Sequence, residues 1–141
     1  MRKNMYEIFD EFKAAATKQD KINVLAANWN PTLKLVLQLA YNPNVKWKVK
    51  ERPAAYKKPD TLPGVSFSSL NSELRRLYMF QEGNPTAEKL TPKKREELLL
   101  ILLESLEPRE ADIVVGILKK DLGVKGLTVK FIQDNIPGVL P

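Results

Sequence analysis

Two amino acids on which much enzyme chemistry depends are missing from this sequence. Its 141 residues include no cysteine and no histidine. Without cysteine the chain has no disulfide, no thiolate metal ligand and no cysteine nucleophile. Without histidine it lacks the commonest general base, the commonest metal ligand and every serine–histidine triad. These absences predict a protein that carries no catalytic residues and no metal or other cofactor.

Phosphate-binding loops and membrane segments are missing as well. Neither G-x-x-x-x-G-K nor G-x-G-x-x-G occurs, so we expect no nucleotide or other small-molecule substrate. The longest apolar run, Leu98–Leu103, has six residues, whereas a transmembrane helix needs about 20. The first ten residues contain no apolar segment of the kind that forms a signal peptide. We therefore expect a soluble cytoplasmic protein with no membrane partner.

Paired carboxylates are the remaining source of acid–base chemistry. Glu7, Asp10 and Glu11 lie opposite the apolar face of the first predicted helix, where charge is usually solvated. Glu96 and Glu97 lie near the start of another helix, where negative charge complements the helix dipole. Solvated charge explains the first group and the helix dipole the second, so we predict that the protein is not an enzyme.

One domain of ordinary globular composition is predicted over residues 1–141. Hydrophobic residues make up 43% of the chain and charged residues 28%, as in soluble proteins generally. The length is sufficient to bury a single hydrophobic core. The net charge of +6 favours a polyanionic partner without identifying one.

Apolar spacing and capping residues predict an all-α fold with about seven helices. Met5, Ile8, Phe9 and Phe12 recur at helical spacing and indicate a first helix over about residues 4–16. Capping residues, several followed by proline at the first helical position, mark later helix starts. These starts are Thr17, Asn30-Pro31, Thr91-Pro92 and Thr128, and Leu106-Glu107-Pro108 marks a tight turn into a further helix.

Two further helices are predicted from their apolar faces and their ends. One carries Leu70, Leu74, Leu77 and Tyr78 on a single face and is expected to end at Gly83-Asn84-Pro85. The helix that follows Glu107-Pro108 is expected to have Gly123 in its C-cap region.

Residues 42–64 interrupt the helical pattern with four prolines and one glycine. Val45, Trp47 and Val49 alternate with lysines, which is the period of an extended strand. We predict an ordered excursion packed on the helices by Trp47 and Tyr56. A linker between two domains is disfavoured because the roughly 40 residues before it would be too few to fold alone.

Basic residues concentrate in two clusters. The first, the basic segment (residues 46–58), is opposed only by Glu51 and is interleaved with Trp47 and Tyr56. Its cations are Lys46, Lys48, Lys50, Arg52, Lys57 and Lys58. This composition suits phosphate contacts. A solvated face whose aromatic residues belong to the core explains the composition equally well.

The second cluster surrounds the glycine turn (residues 123–126) and the Thr128 cap. It consists of Lys119, Lys120, Lys125 and Lys130. Glycines allow a backbone to approach a ligand, and a helix N-terminus directs amides at an anion. The alternative is a glycine C-cap with lysines that complement the dipole of the preceding helix.

Taken in order, three sets of residues resemble the N-terminal DNA-binding domain of bacteriophage-type ATP-dependent DNA ligases. The N-terminal set is Thr17-Lys18-Gln19-x-Lys21, Leu25, Asn28, Leu33-Lys34, Val36, Leu39, Tyr41, Val49 and Pro53. The middle set is Gly83-Asn84 with Glu88-x-Leu90, and the C-terminal set is Lys120-Asp121-Leu122, the glycine turn, Val129 and Ile136-Pro137-Gly138. The similarity spans nearly the whole chain, although each motif is short. The sequence also resembles a family of small proteins from tailed cyanophages.

The ligase resemblance implies an all-α domain that grips the minor-groove side of a nicked duplex, largely through backbone and basic contacts. It implies phosphate contacts for Gly123, Gly126, Lys120, Lys125 and Thr128, with Lys18 and Lys21 as further candidates. Two features depart from the family pattern. The glycine turn is one residue longer, and the basic segment is richer in lysine.

Ligation itself is not expected. The K-x-D-G motif that carries a ligase's nucleophilic lysine is missing, and no Asp-Gly dipeptide occurs in the sequence. The chain stops where the nucleotidyltransferase domain would begin, so we expect a stand-alone domain. Sequence-specific readout is also not expected, because the single arginine pair, Arg75-Arg76, lies beside core positions.

The sequence therefore predicts a non-catalytic phage accessory protein in the cytoplasm of an infected host cell. Its expected partner is double-stranded or nicked DNA, bound without sequence preference. The alternative is a protein–protein adaptor that kept the fold without DNA binding and contacts a phage or host protein through the same basic face. A virion component is a third reading of the same features.

Overall fold

The computed structural model describes residues 3–59 and 68–141. These residues form eight α-helices and one 3₁₀ helix, and none of the helices is long and apolar enough to cross a membrane. The α-helices are α1 Met5–Ala14, α2 Lys18–Ala27, α3 Pro31–Tyr41, α4 Leu70–Leu74, α5 Pro85–Lys89, α6 Pro92–Glu104, α7 Pro108–Lys119 and α8 Val129–Asn135, with the 3₁₀ helix at Leu77–Phe80. The predicted all-α class is confirmed.

Capping residues begin the helices where the sequence predicts. The Thr17 side chain accepts a hydrogen bond of 3.0 Å from the amide of Asp20 at the start of α2. The predicted caps of α3, α6 and α8 accept equivalent bonds from the first turns of their helices. Each such bond satisfies an amide that has no partner within the helix, which defines the starting residue.

Helix α7 lies at the centre of the fold. Helices α1, α3, α4 and α6 all pack on it, and seven of its residues are buried. Gly116 allows the chain beyond α7 to fold back against the helix. A β-carbon there would lie 3.0 Å from Cα of Leu122 and 3.1 Å from the carbonyl oxygen of Asp121. A larger residue would therefore push the backbone of Asp121 and Leu122 away from α7.

The predicted extended segment is ordered and pairs with the chain beyond the 3₁₀ helix. Trp47 forms an antiparallel bridge with Gln81, and the Lys48 amide donates to the Phe80 carbonyl at 2.8 Å. Trp47 is 1% exposed and belongs to the core. Its burial confirms that this tryptophan anchors the segment on the helices.

Tyr56 forms the second anchor, since it is half-buried and packs against the core cluster. Residues 60–64, the end of the predicted excursion, lie outside the described residues. Through residue 59 the excursion therefore runs as an ordered part of the fold, as predicted.

The single helix predicted from Leu70 to Tyr78 is wrong. The chain forms the short helix α4, then the 3₁₀ helix, and Tyr78 is 46% exposed instead of sharing the apolar face. In a 3₁₀ turn, residues three apart point the same way. Leu77 and Phe80 are consequently both buried.

Gly83-Asn84-Pro85, predicted as the end of a helix, also contains the start of helix α5, which the sequence did not predict. The Asn84 side chain accepts a hydrogen bond of 2.9 Å from the Thr86 amide, and Pro85 occupies the first turn of α5. Proline is favoured there because the first helical amides have no acceptor within the helix.

The predicted C-cap at Gly123 is wrong as well. Helix α7 ends at Lys119, and Lys120 adopts the left-handed conformation of the cap, with a φ of 62°. Gly123 lies three residues further on with a φ of 71° and belongs to the following turn. Lys120 is held in this conformation by contacts with α3, described below.

Candidate nucleic-acid interface

The glycine turn connects α7 to α8 and alternates buried and exposed residues. Val124 and Leu127 are 7% and 3% exposed and fasten the turn to the core. Gly123, just before Val124, is exposed, and so are Lys125 and Gly126 between the two buried residues. Gly126 has a φ of 88°, a backbone conformation that side chains with a β-carbon rarely adopt. The turn is thus a rigid surface feature with apolar roots.

The backbone of this turn presents free hydrogen-bond donors. The amides of Val124, Lys125 and Gly126 donate no hydrogen bond to any described residue, whereas the Leu127 amide donates to the Val124 carbonyl at 3.0 Å. Consecutive free amides in a turn with left-handed residues form a concavity that suits an anion. Thr128 then caps α8 by accepting from the Phe131 amide at 3.1 Å.

The start of α2 lies beside the turn. A β-carbon on Gly126 would lie 3.7 Å from Cε of Lys21. The Lys21 ammonium donates to the Phe12 carbonyl at 2.8 Å and lies 4.8 Å from the Phe12 ring centroid. Lys21 therefore stabilises the end of α1. Lys18 precedes it by one helical turn and is exposed, and Lys21 is thus a residue predicted from a separate part of the chain that lies beside the turn.

Four lysines around the turn are exposed and available to a ligand. None of them forms an ion pair within the part of the chain that the structure describes. They are Lys18, Lys119, Lys125 and Lys130. The neighbouring Asp121 carboxylate accepts a hydrogen bond of 2.9 Å from the Gly123 amide and so is occupied in shaping the turn.

Lys120 differs from its neighbours because its ammonium points into the protein. The Nζ atom donates to the carbonyls of Leu39 at 3.1 Å and Asn42 at 2.7 Å. Burial lowers the pKa of Lys120 from its usual value. A direct phosphate contact by Lys120 stays a prediction, and in this structure the ammonium already has two partners.

Tyr41 is a contributor to the turn for which sequence reasoning assigned no role. Its hydroxyl accepts from the Leu122 amide at 3.2 Å and donates to the Leu127 carbonyl at 3.1 Å. Burial is the main cause that raises the pKa of Tyr41. The sequence signal was its membership of the N-terminal set that resembles ligase domains, which gave no role, because its partners lie about 80 residues away in the chain.

The basic segment is electrostatically different because acidic side chains compensate part of its charge. Lys48 pairs with Glu88 at 3.0 Å, and Arg52 pairs with Asp112. A backbone hydrogen bond from Gly83, followed by the bond from Lys48, lowers the pKa of Glu88.

A groove of about 550 Å³ along the basic segment contains both signs of charge. Its cationic walls are Lys48, Lys50, Arg52 and Arg95, and its acidic ones are Glu51 and Glu96. Lys46, Lys50, Lys57 and Lys58 are exposed and form no ion pair with a described residue. The groove is therefore less suited to a polyanion than the glycine turn.

The two basic clusters are connected. Lys120 contacts Asn42, just before the basic segment, and Arg52 pairs with Asp112 in the first half of α7. The basic segment thus starts near the end of α7 and runs back along that helix. Among the described residues no group of three acidic side chains is placed to hold a metal ion.

A solved structure shares this fold. The chain named Pmar-Lig_PreS3, a ligase-related protein, superposes with a TM-score of 0.61 at 18% sequence identity. The match covers 91% of the present chain and 28% of that chain, so the present chain spans little more than a quarter of this structural relative. At this identity the likeness concerns the fold alone. Among curated proteins nothing matches.

Family membership follows from the sequence. Residues 8–124 match the family described as a family of unknown function, DUF6433. The match runs from α1 into the glycine turn and includes the basic segment, α2 and α7. Since it covers most of the chain, this protein belongs to the DUF6433 family.

Proposed function

We propose that the protein binds double-stranded DNA without catalysis and without sequence preference, with the glycine turn against the phosphate backbone. One observation carries the proposal: three free amides of a rigid turn lie among four exposed lysines that have no acidic partner in the described residues. Backbone amides and lysines bind phosphate oxygens, which every sequence presents alike. The ligase-related fold supports this proposal.

The interface has room for several phosphates. Lys18 belongs to α2, Lys119 to the end of α7, Lys125 to the turn and Lys130 to α8, so the cations come from four parts of the chain. A nick or another distortion of the duplex would allow closer contact between the turn and the backbone. We include nicked duplex among the proposed ligands, as the resemblance to phage ligase domains implies.

A salt titration tests the proposal. Fluorescence anisotropy with labelled duplexes, intact and nicked and of unrelated sequences, should show binding whose affinity falls as salt rises. With four lysines on phosphates, the slope of log affinity against log salt should be roughly −3 to −4, because each neutralised phosphate contributes about 0.9. Equal affinities for unrelated sequences are expected. No binding at low salt, or a slope near zero, would contradict the proposal.

A protein partner is the second candidate function, and one observation favours it. Ile101, in the middle of α6, is 66% exposed and borders a groove of about 300 Å³ that Leu98 and Met79 also line. Exposed apolar side chains beside a groove are frequent at protein contacts. A pull-down tests this candidate. If the DNA titration fails, an interaction with one defined protein that persists after nuclease treatment, and that Ile101→Lys abolishes, would support the adaptor.

A further inference from the structure

We propose that Lys120 is a positioning residue that holds the glycine turn in its binding shape from the inside, and does not itself contact DNA. The part of this proposal that concerns DNA rests on the proposed function. The part that concerns the turn rests on the contacts of Lys120 alone.

The backbone of Lys120 is in an unfavourable conformation. Its φ of 62° is positive, and no other described non-glycine residue has a positive φ. A β-carbon makes this conformation costly. At this helix end the Lys120 amide donates to the carbonyl of Ile117 and the Asp121 amide to the carbonyl of Gly116, both at 3.0 Å. These two hydrogen bonds form the usual left-handed end of a helix, and further contacts of the side chain offset the cost of a β-carbon there.

The side chain supplies those contacts. Its ammonium uses two of its three donors on the carbonyls of Leu39 and Asn42. Both carbonyls lie at the C-terminal end of α3, where helix carbonyls have no amide partners within the helix and where positive charge complements the dipole. Lys120 thus joins the end of α7 to the end of α3.

Tyr41 makes the neighbouring attachment from the same end of α3. Its hydroxyl bonds to Leu122 on one side of the glycine turn and to Leu127 on the other. The glycine turn is consequently attached to α3 at Leu122 before the turn, at Leu127 after it, and through Lys120 at the end of α7. A binding surface that is ordered in advance loses less conformational entropy when its ligand arrives.

A direct contact and a positioning role predict different salt dependence. To reach a phosphate, the Lys120 ammonium would have to leave the Leu39 carbonyl without a donor among the described residues, and the Asn42 carbonyl with the Val45 amide alone, at 3.1 Å. If the ammonium stays on the carbonyls, it neutralises no phosphate. Its removal by mutation then leaves the number of counterions released from DNA, and with it the salt slope, unchanged. The loss of a true phosphate contact lowers the slope by about one.

The test compares Lys120→Met with Lys125→Met, which remove one ammonium each and keep an unbranched side chain. Lys120→Met should weaken duplex binding about tenfold at an unchanged slope, and hydrogen exchange at the Leu122 and Leu127 amides should accelerate. Lys125→Met should lower the slope by about one and leave that exchange as in the wild type. Lys120→Gly, which adopts the left-handed conformation freely, serves if Lys120→Met does not fold.

Two results would overturn the proposal: a slope lowered by about one in Lys120→Met, or unchanged exchange at the Leu122 and Leu127 amides. If the wild type binds no DNA, the proposed function fails, whereas the exchange measurement still decides whether Lys120 holds the turn. The two failures are therefore distinguishable.

Discussion

Replacing Lys125 and Lys130 together by glutamate is expected to weaken duplex binding about 100-fold and to lower the salt slope by about two. Each lysine is exposed and forms no ion pair in the described part of the chain. A hydrogen bond to a charged group is worth about 1.5 kcal/mol, and two of them correspond to about two decades of affinity. Anisotropy titrations at several salt concentrations measure both quantities.

The matched control is Lys89→Glu with Lys93→Glu, which changes the net charge equally. Both control residues are exposed, in α5 and in the first turn of α6. We expect less than about a threefold change, because neither residue belongs to the glycine turn, to α2 or to the helices that the turn connects, and screening weakens charges beyond about 10 Å at 0.1 M salt. Equal losses in the two double variants would show that general charge attraction, and not the turn, determines binding.

Trp47→Ala is expected to lower the free energy of unfolding by about 3–5 kcal/mol. Trp47 is 1% exposed and is the largest fully buried side chain among the described residues. Its removal leaves a cavity under the basic segment that the helices cannot close without moving. Urea denaturation followed by circular dichroism measures the change. Trp29→Ala is the control, since Trp29 is 38% exposed, and a smaller loss than that of Trp47→Ala is expected there because less of its side chain is buried.

Trp47→Phe should be much milder than Trp47→Ala. The Trp47 Nε1 atom is buried and makes no hydrogen bond with the described residues. An unpaired buried donor costs about 1–3 kcal/mol, and phenylalanine removes that donor while it keeps an aromatic ring in the core. We expect a loss of roughly 1–2 kcal/mol from the reduced ring size. A loss as large as that of Trp47→Ala would show that the indole N–H is important to the fold.

The helix starts could be predicted because each depends on a local interaction. A cap such as Thr17, Asn30 or Thr128 bonds an amide three residues away, so the sequence contains both partners side by side. Burial of Ile8 and Phe12 follows in the same way from apolar spacing within one helix. The all-α class and most of the core were accessible for this reason.

The sequence could not predict which basic side chains form ion pairs with acidic residues and which stay unpaired. Lys48 meets Glu88, and Arg52 meets Asp112 across 60 residues of chain. Nothing in the composition of the basic segment separates these cations from Lys125 or Lys130. Long-range packing decides which cations are neutralised, since an ion pair forms only where the fold brings both partners within a few ångströms.

The sequence by itself determined that cysteine, histidine and phosphate-loop chemistry are absent, where most helices begin, and which motifs resemble a ligase domain. These are properties of residue type and short spacing. The tertiary structure alone decided that α4 is short, that Lys120 caps α7, and that Lys120 and Tyr41 join the glycine turn to α3. The join to α3 depends on contacts between residues about 80 positions apart, which no local pattern records.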